Sequence, residues 1–279
     1  MIPCLNNATI RAPNLEAFLN AASQAGFAAV ELSIGWVQEY VADRSVDSLK
    51  KLLGDMRVLP ASFDLPAEWR KGETRWRADL EKLPQNCLLA TQLGLSRAVT
   101  WMPARLDLPY QEAVEWAADR LRPVVDICAE HGILLGLEYV APQGGFRAAH
   151  KFITTMGELW DLLEAINRPK VGVLLDSYHW YVGQSDPVDL ERLPAELIAQ
   201  VHINDANPDL PREELKDLER LLPGEGCIDL VAFLRAVKAT GYNDTVSVET
   251  FDESLVALGP LEAARRAKAA LDRVLSEVE

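Results

Sequence analysis

Soft ligand types are scarce: only four histidines, four cysteines and four methionines occur in 279 residues. No CxxC pair is present, and Cys4, Cys87, Cys128 and Cys227 are scattered in or beside apolar segments, as expected of reduced thiols that pack as small hydrophobes. Basic residues are also few, 28 against 42 acidic, giving a formal charge of −14. Such a balance argues against a protein that neutralises phosphates on nucleic acid or on an anionic membrane. A small neutral or weakly anionic substrate suits it better, and solubility alone would also account for the charge. Apolar runs stay well short of the roughly 18 residues of a membrane span, and MIPCLNNATI has neither a basic region nor an apolar core, so the expected location is cytoplasmic.

What is present is a regular alternation. With 49% hydrophobic and 25% charged residues, the composition is that of a globular chain with a sizeable core. After a first apolar segment ending near Asn6, PNLEAFLNAASQAGF reads as a helix capped by Asn14 and stopped by Gly26. AAVELSI then reads as a strand, SVDSLKKLLGDM as a helix begun by Ser45, and RVLPASFDL as a strand. The rhythm continues through a long helix ending at Gly94, the strand SRAVTWM, and a helix that Pro123 would kink or divide. ILLGLEYV, VGVLLD, LIAQVHI and TVSVETF supply the later strands, with helical segments between them and a closing helix through Leu261, Ala264, Leu271, Val274 and Val278. About eight strands alternating with about eight helices predict an α/β fold, a single (β/α)8 TIM barrel across residues 1–279. A doubly wound open sheet is the competing arrangement.

Four of the later strands carry an ionisable residue near the C-terminal end: Glu138, Asp176, His202 and Glu249. An unpaired charge there would cost several kcal/mol to bury. Taken singly, each could be a buried ion pair or a hydrogen-bonded polar group. Taken together they ask for a shared partner, and successive strand ends of a barrel converge on one axis whereas those of an open sheet diverge. Two glutamates, an aspartate and a histidine form a mixed oxygen and nitrogen shell suited to one divalent metal ion, Mn, Mg, Co or Zn.

The runs LLDSYHW, VHINDA and ERLLPGEGCIDLVAFLRAVKATGY leading into VSVETF resemble the xylose isomerase-like TIM barrel superfamily of sugar isomerases and epimerases, with inosose dehydratase and hydroxypyruvate isomerase among its relatives. The resemblance covers the second half in ordered motifs and the first half only in its rhythm. It implies a metal ion held by Glu138, Asp176, His202 and Glu249, with Glu138 and Glu249 doubling as catalytic acid/base groups. His179, three residues after Asp176, should sit on the same loop at the barrel mouth, and the resemblance implies substrate contacts from it and from Arg220. The implied activity is isomerisation or epimerisation of a small, non-phosphorylated keto-sugar or keto-acid in carbohydrate metabolism. Manganese is the ion such an activity suggests. The chemistry is coherent: removing a proton beside a carbonyl is slow unless the enediolate charge is neutralised, which a chelated cation does.

Other residues keep two readings. Asp205 either orients His202 or starts a turn; Arg220 is otherwise a solvated helix-end cation; His150 sits in the loop after Glu138, within reach of a substrate. Asn6, Trp36, Trp101 and Trp180 would line the pocket or pack the barrel, and His131 reads as a helix terminus. The longest irregular stretches, Pro142 to Thr155 and Asn204 to Gly226, follow strands with proposed ligands and suit substrate loops. ETFDESLVALGP after Glu249 is acidic and apolar, which disfavours a phosphorylated substrate. A dehydratase of an inosose- or dehydroshikimate-like compound would use the same site. Relatives that cut DNA at abasic sites bind three zinc ions through more histidines than this chain has, and a non-catalytic polyol-binding barrel is the other remote reading. The expected partner is a small polyol or keto-sugar, with no nucleic acid or membrane; apolar residues on outer helices leave a homo-oligomer open.

Overall fold

The computed structural model describes residues 1–141, 147–191 and 193–278. Eight parallel strands close a barrel: β1 (Ile2–Leu5), β2 (Ala29–Leu32), β3 (Leu59–Asp64), β4 (Arg97–Met102), β5 (Leu134–Tyr139), β6 (Val171–Asp176), β7 (Ile198–Ile203) and β8 (Thr245–Val248). Each strand pairs with its sequence neighbours, and β1 pairs with β8 to complete the ring. The open-sheet alternative is thereby set aside. Barrel strands are covered on both faces, which is why VGVLLD and IAQVHI are buried at every position.

The register sets up the site. Asp176 is paired with His202 across β6 and β7, and Trp101 with Glu138 across β4 and β5. The barrel interior is tight: a Cβ at Gly136 would approach the Ala199 Cβ to 2.5 Å. Deeper in the interior, Val99, Leu174 and Ala199 form a small apolar layer. Beside it runs a buried polar chain in which Thr245 Oγ1 donates to Gln200 Oε1 (2.9 Å) and Gln200 Nε2 donates to Ser62 Oγ (3.3 Å).

The helices follow the sequence pattern with instructive exceptions. Helix α1 (Leu15–Ala25) is capped by Asn14, whose side chain accepts from the Ala17 N–H, and ends on Gly26 at φ 85°. Helix α2 (Ile34–Asp43) is an element that the sequence pattern does not separate from β2. It follows the strand after a single residue, and its buried face is only Ile34, Val37 and Tyr40, too short a periodic signal to stand out. Helix α3 (Val46–Met56) starts at Ser45 as expected, with a reciprocal Ser45–Ser48 cap. Helices α4 (Glu73–Gln92) and α5 (Tyr110–Glu130) contain Pro84 and Pro123, and neither is divided. After α6 (Met156–Ile166), two short helices, α7 (Ser177–Val182) and α8 (Pro187–Glu191), precede β7. Helix α9 (Leu230–Ala239) leads into β8, and α10 (Glu253–Val256) precedes the closing α11 (Pro260–Val278), which buries Ala264, Leu271, Val274 and Val278.

Of the long connection from Pro142 to Thr155, residues 142–146 lie outside the described residues. The remainder includes a short strand, His150–Lys151, antiparallel to Arg105–Leu106. The stretch from Asn204 to Gly226 carries a similar pairing, Asp205–Ala206 with Arg220–Leu221. All four thiols are free, and three are buried; Cys227 is exposed, a departure from the expected buried thiol. Among the described residues no helix is long and apolar enough to cross a membrane.

Candidate metal centre and substrate cavity

The C-terminal ends of β5 to β8 deliver their ionisable side chains to one place. One ligand atom from each of Glu138, Asp176, His202 and Glu249 lies within 4.8 Å of the others. Glu138 and Glu249 line a cavity of about 770 Å³ at the barrel mouth. His202 Nδ1 is 3.2 Å from Glu249 Oε2 and 3.9 Å from both Glu138 Oε1 and Asp176 Oδ2. Despite that crowding, His202 Nδ1 and Glu138 Oε1 are buried and make no hydrogen bond. Two buried orphaned ligand atoms aimed at a common point, ringed by carboxylate oxygens, are what an ion with bonds of about 2.0–2.2 Å would satisfy. The donor set therefore fits a divalent cation.

Asp176 performs two tasks. Its Oδ1 accepts from the Tyr178 N–H (2.7 Å) and the His179 N–H (3.1 Å), capping α7. Its Oδ2 accepts from Asn204 Nδ2 (2.9 Å) and Arg220 Nη1 (3.0 Å). That cap corrects one expectation: His179 stands in the first turn of a helix, not on a loop. Asn204 is held in turn by a reciprocal exchange with Ser177, whose Oγ donates to the Asn204 carbonyl and accepts from its N–H.

Glu31, which sequence reasoning left unassigned, governs the histidine. His202 Nε2 lies 3.0 Å from Glu31 Oε1 and 3.2 Å from Oε2, and Asn6 Nδ2 (3.2 Å) and Ser62 Oγ (3.0 Å) donate to the same carboxylate. A carboxylate on Nε2 fixes the proton there and presents Nδ1 to the cluster. Asp205, by contrast, does not orient His202. Its carboxylate accepts from the backbone N–H groups of Ala206, Gly224, Gly226 and Ile228, tying down the PGEG turn. Of its two readings the turn is the one realised, and it is why residue 226 is glycine: a Cβ there would meet Asp205 Oδ1 at 2.5 Å. A glutamate ending a short apolar strand was the available signal for Glu31, the same signal that singled out Glu138.

Arg220 is buried at the end of the cluster and every one of its N–H groups has an acceptor. Nη1 donates to Asp176 Oδ2 (3.0 Å) and Glu249 Oε2 (2.8 Å), Nη2 to Asp217 Oδ1 (2.6 Å) and His179 Nε2 (3.1 Å), and Nε to the Asp217 carbonyl (2.9 Å). Because a guanidinium only donates, His179 Nε2 accepts and the imidazole carries its proton on Nδ1, an atom that is buried without a partner. Trp180 packs on Phe233 (centroids 5.4 Å apart) rather than lining the cavity, while Asn6, Trp36 and Trp101 do line it. His150 is exposed on its short strand and is not part of the cavity wall. His131 ends α5, its Nδ1 3.0 Å from the Ile127 carbonyl.

The electrostatics follow from burial and crowding. Burial, with Asp176 and Glu249 nearby, pushes Glu138 well above the usual carboxylate range. Burial alone would raise Asp176 too, but Arg220, His179 and His202 outweigh it and hold it low. Burial would lower His202, yet Glu31 and Glu249 prevail and raise it well above an ordinary imidazole. Glu31, against its own burial, is held at about 2 by His202. His179 is lowered by burial. Glu31, Glu138, Asp176, Asp217 and Glu249 together outnumber the one guanidinium and two imidazoles among them, so Arg220 neutralises the cluster only in part.

Barrel and site together define a (β/α)8 protein with a carboxylate and imidazole cluster at the C-terminal ends of its later strands, where such barrels carry their chemistry. The chain belongs to the xylose isomerase-like TIM barrel family, whose model matches residues 19–275. It is similar to an inosose isomerase of Bacillus velezensis, 27% identical over 279 residues that cover 98% of this chain and 97% of the relative. Among solved structures it resembles a xylose isomerase domain protein from Alicyclobacillus acidocaldarius (TM-score 0.92, 28% identity, covering 100% of this chain and 99% of that one). It also resembles the IOLI protein with a binding zinc atom (TM-score 0.85, 27% identity, covering 100% and 99%).

Proposed function

We propose that this chain, acting as one domain across residues 1–279, is a divalent-metal-dependent isomerase or epimerase of a small, non-phosphorylated keto-sugar or keto-acid. The observation that carries the reading is the pair of buried, unpartnered ligand atoms, Glu138 Oε1 and His202 Nδ1, facing Asp176 and Glu249. Similarity along nearly the whole chain to an inosose isomerase supports the reaction class. Glu138, Asp176, His202 and Glu249 would hold the ion. When bound, the cation supplies positive charge beside the carbonyl oxygen, lowering the cost of the negative charge that develops there.

The chain's own residues do the rest. Glu138 and Glu249 both reach the cavity and are the groups we assign to removing and returning a proton at the carbon next to the carbonyl. His179 lines the cavity and is assigned to contact a substrate oxygen. A substrate reaches Arg220 only by displacing one of that guanidinium's present acceptors, so its first task is to hold Asp176, Asp217 and Glu249 in place. We place the enzyme in the cytoplasm, with manganese as the first metal to test.

The experiment is elemental analysis of purified protein, coupled to a screen of ketoses, inososes and hydroxypyruvate-like acids for uptake of solvent deuterium. One divalent ion per chain and exchange into at least one compound with mass conserved are expected. Exchange into none of them overturns the assignment. A mass loss of one water would transfer the enzyme to the dehydratases, which begin with the same proton abstraction.

A further inference from the structure

The cavity has two arginines in its wall, Arg220 beside the cluster and Arg70 in the segment after β3. Their hydrogen bonds differ in kind. Arg220 has all five N–H groups engaged, three of them by carboxylates. Arg70 commits only Nη1 firmly, to the Trp101 carbonyl (2.8 Å) and Thr100 Oγ1 (3.3 Å), while Nη2 has one long contact, 3.4 Å to Glu68 Oε2. No acceptor among the described residues meets its Nε. The guanidinium is nonetheless fixed in orientation, because it lies 4.1 Å over the Trp101 ring and 5.5 Å from that of Trp69. A planar fork held by one edge and one face, with donors left over, is preorganised for a ligand.

The neighbours say which ligand. Glu68, an acceptor, stands beside Arg70, a donor, and both line the cavity with Asp64 and Trp101. Adjacent donor and acceptor groups match vicinal hydroxyls, which both give and take hydrogen bonds. A carboxylate bound at Arg70 would sit beside Glu68, whose charge repels it.

The geometry points to Arg70, paired with Glu68, as a specificity-determining residue that grips vicinal hydroxyls at the substrate end away from the reacting carbon, so that the substrate is a neutral polyhydroxylated ketone rather than a keto-acid. This rests on the function proposed above and selects among its substrates.

The test is equilibrium titration of manganese-loaded wild type, Arg70→Ala and Arg70→Lys with myo-inositol, D-fructose and D-glycerate, with metal content measured for each. At least one neutral polyol is expected to bind wild type more tightly than D-glycerate. Arg70→Ala should weaken it roughly tenfold to a hundredfold, the loss for charge-assisted hydrogen bonds. Arg70→Lys should lose most of the same affinity, and it decides the matter if the alanine variant does not fold. On any compound that is turned over, the loss should appear in KM more than in kcat. Unchanged polyol binding in Arg70→Lys, preference of wild type for D-glycerate, or loss of the metal on substitution overturns the inference. Polyol binding that depends on Arg70, without deuterium exchange into any ketone, defeats the catalytic reading and leaves this one standing.

Discussion

Strands β5 to β8 and strands β1 to β4 complete one barrel between them, but they bring different side chains to its mouth. The later set supplies the candidate ligands Glu138, Asp176, His202 and Glu249. The earlier set supplies what surrounds them: Glu31 and Ser62 behind His202, and Asp64, Thr100 and Trp101 in the cavity wall or bonded to Arg70. The lesson is that a side chain's place along a strand does not reveal its task. Glu31 and Glu138 both lie near the ends of short apolar runs, yet Glu31 is hydrogen-bonded by Asn6 and Ser62 while Glu138 Oε1 accepts no hydrogen bond. Saturation by neighbours, which only the folded chain provides, separates Glu31 from Glu138.

Substitutions can break this division or sharpen it. Glu138→Gln should have the largest effect, a fall in turnover of about a thousandfold with metal content nearly intact, read by deuterium exchange and elemental analysis. Retained turnover would remove Glu138 from the proton-transfer role. Asp205→Ala comes next: it leaves several backbone N–H groups around the PGEG turn without their acceptor and should cost about 3 kcal/mol of stability, seen as a lower Tm. A fall in metal affinity with Tm unchanged would instead return Asp205 to the support of His202.

Glu31→Gln should weaken metal binding by about tenfold to a hundredfold while the fold persists, measured by titration of the metal-free protein. Binding unaltered by this change would erase the distinction between supports and ligands on the β2 side. The effect of pH is smaller per step. Glu31 and Glu249 raise the pKa of His202 in the metal-free cluster, and burial raises that of Glu138. Both groups therefore hold protons that a cation must displace. Affinity should rise with pH, about tenfold per unit for each proton released, and fall on acidification. A flat profile from pH 6 to 8 would show that the cluster binds without giving up protons.

Much of the fold was legible because its signals are local. The caps at Asn14 and Ser45, the glycine after α1 and the apolar face of α11 are properties of a few neighbouring residues. Helix α2 is not legible in the same way, since it follows β2 after one residue and buries only three side chains. His179 reads as a loop residue because the cap that starts α7 is the side chain of Asp176, whose type and position suggest a ligand rather than a cap.

By itself the sequence determined the order of strands and helices, and with it the barrel, because hydrophobic period and capping act over a few residues. It also singled out four strand ends whose charges needed a partner. Only the tertiary structure decided which polar groups stay unsatisfied once neighbours are counted. Asp205 is bound to a turn, Arg220 to three carboxylates, and His202 to Glu31, 171 positions away in the chain. Hydrogen-bond saturation depends on distances between residues remote in sequence, and those are fixed only when the barrel closes.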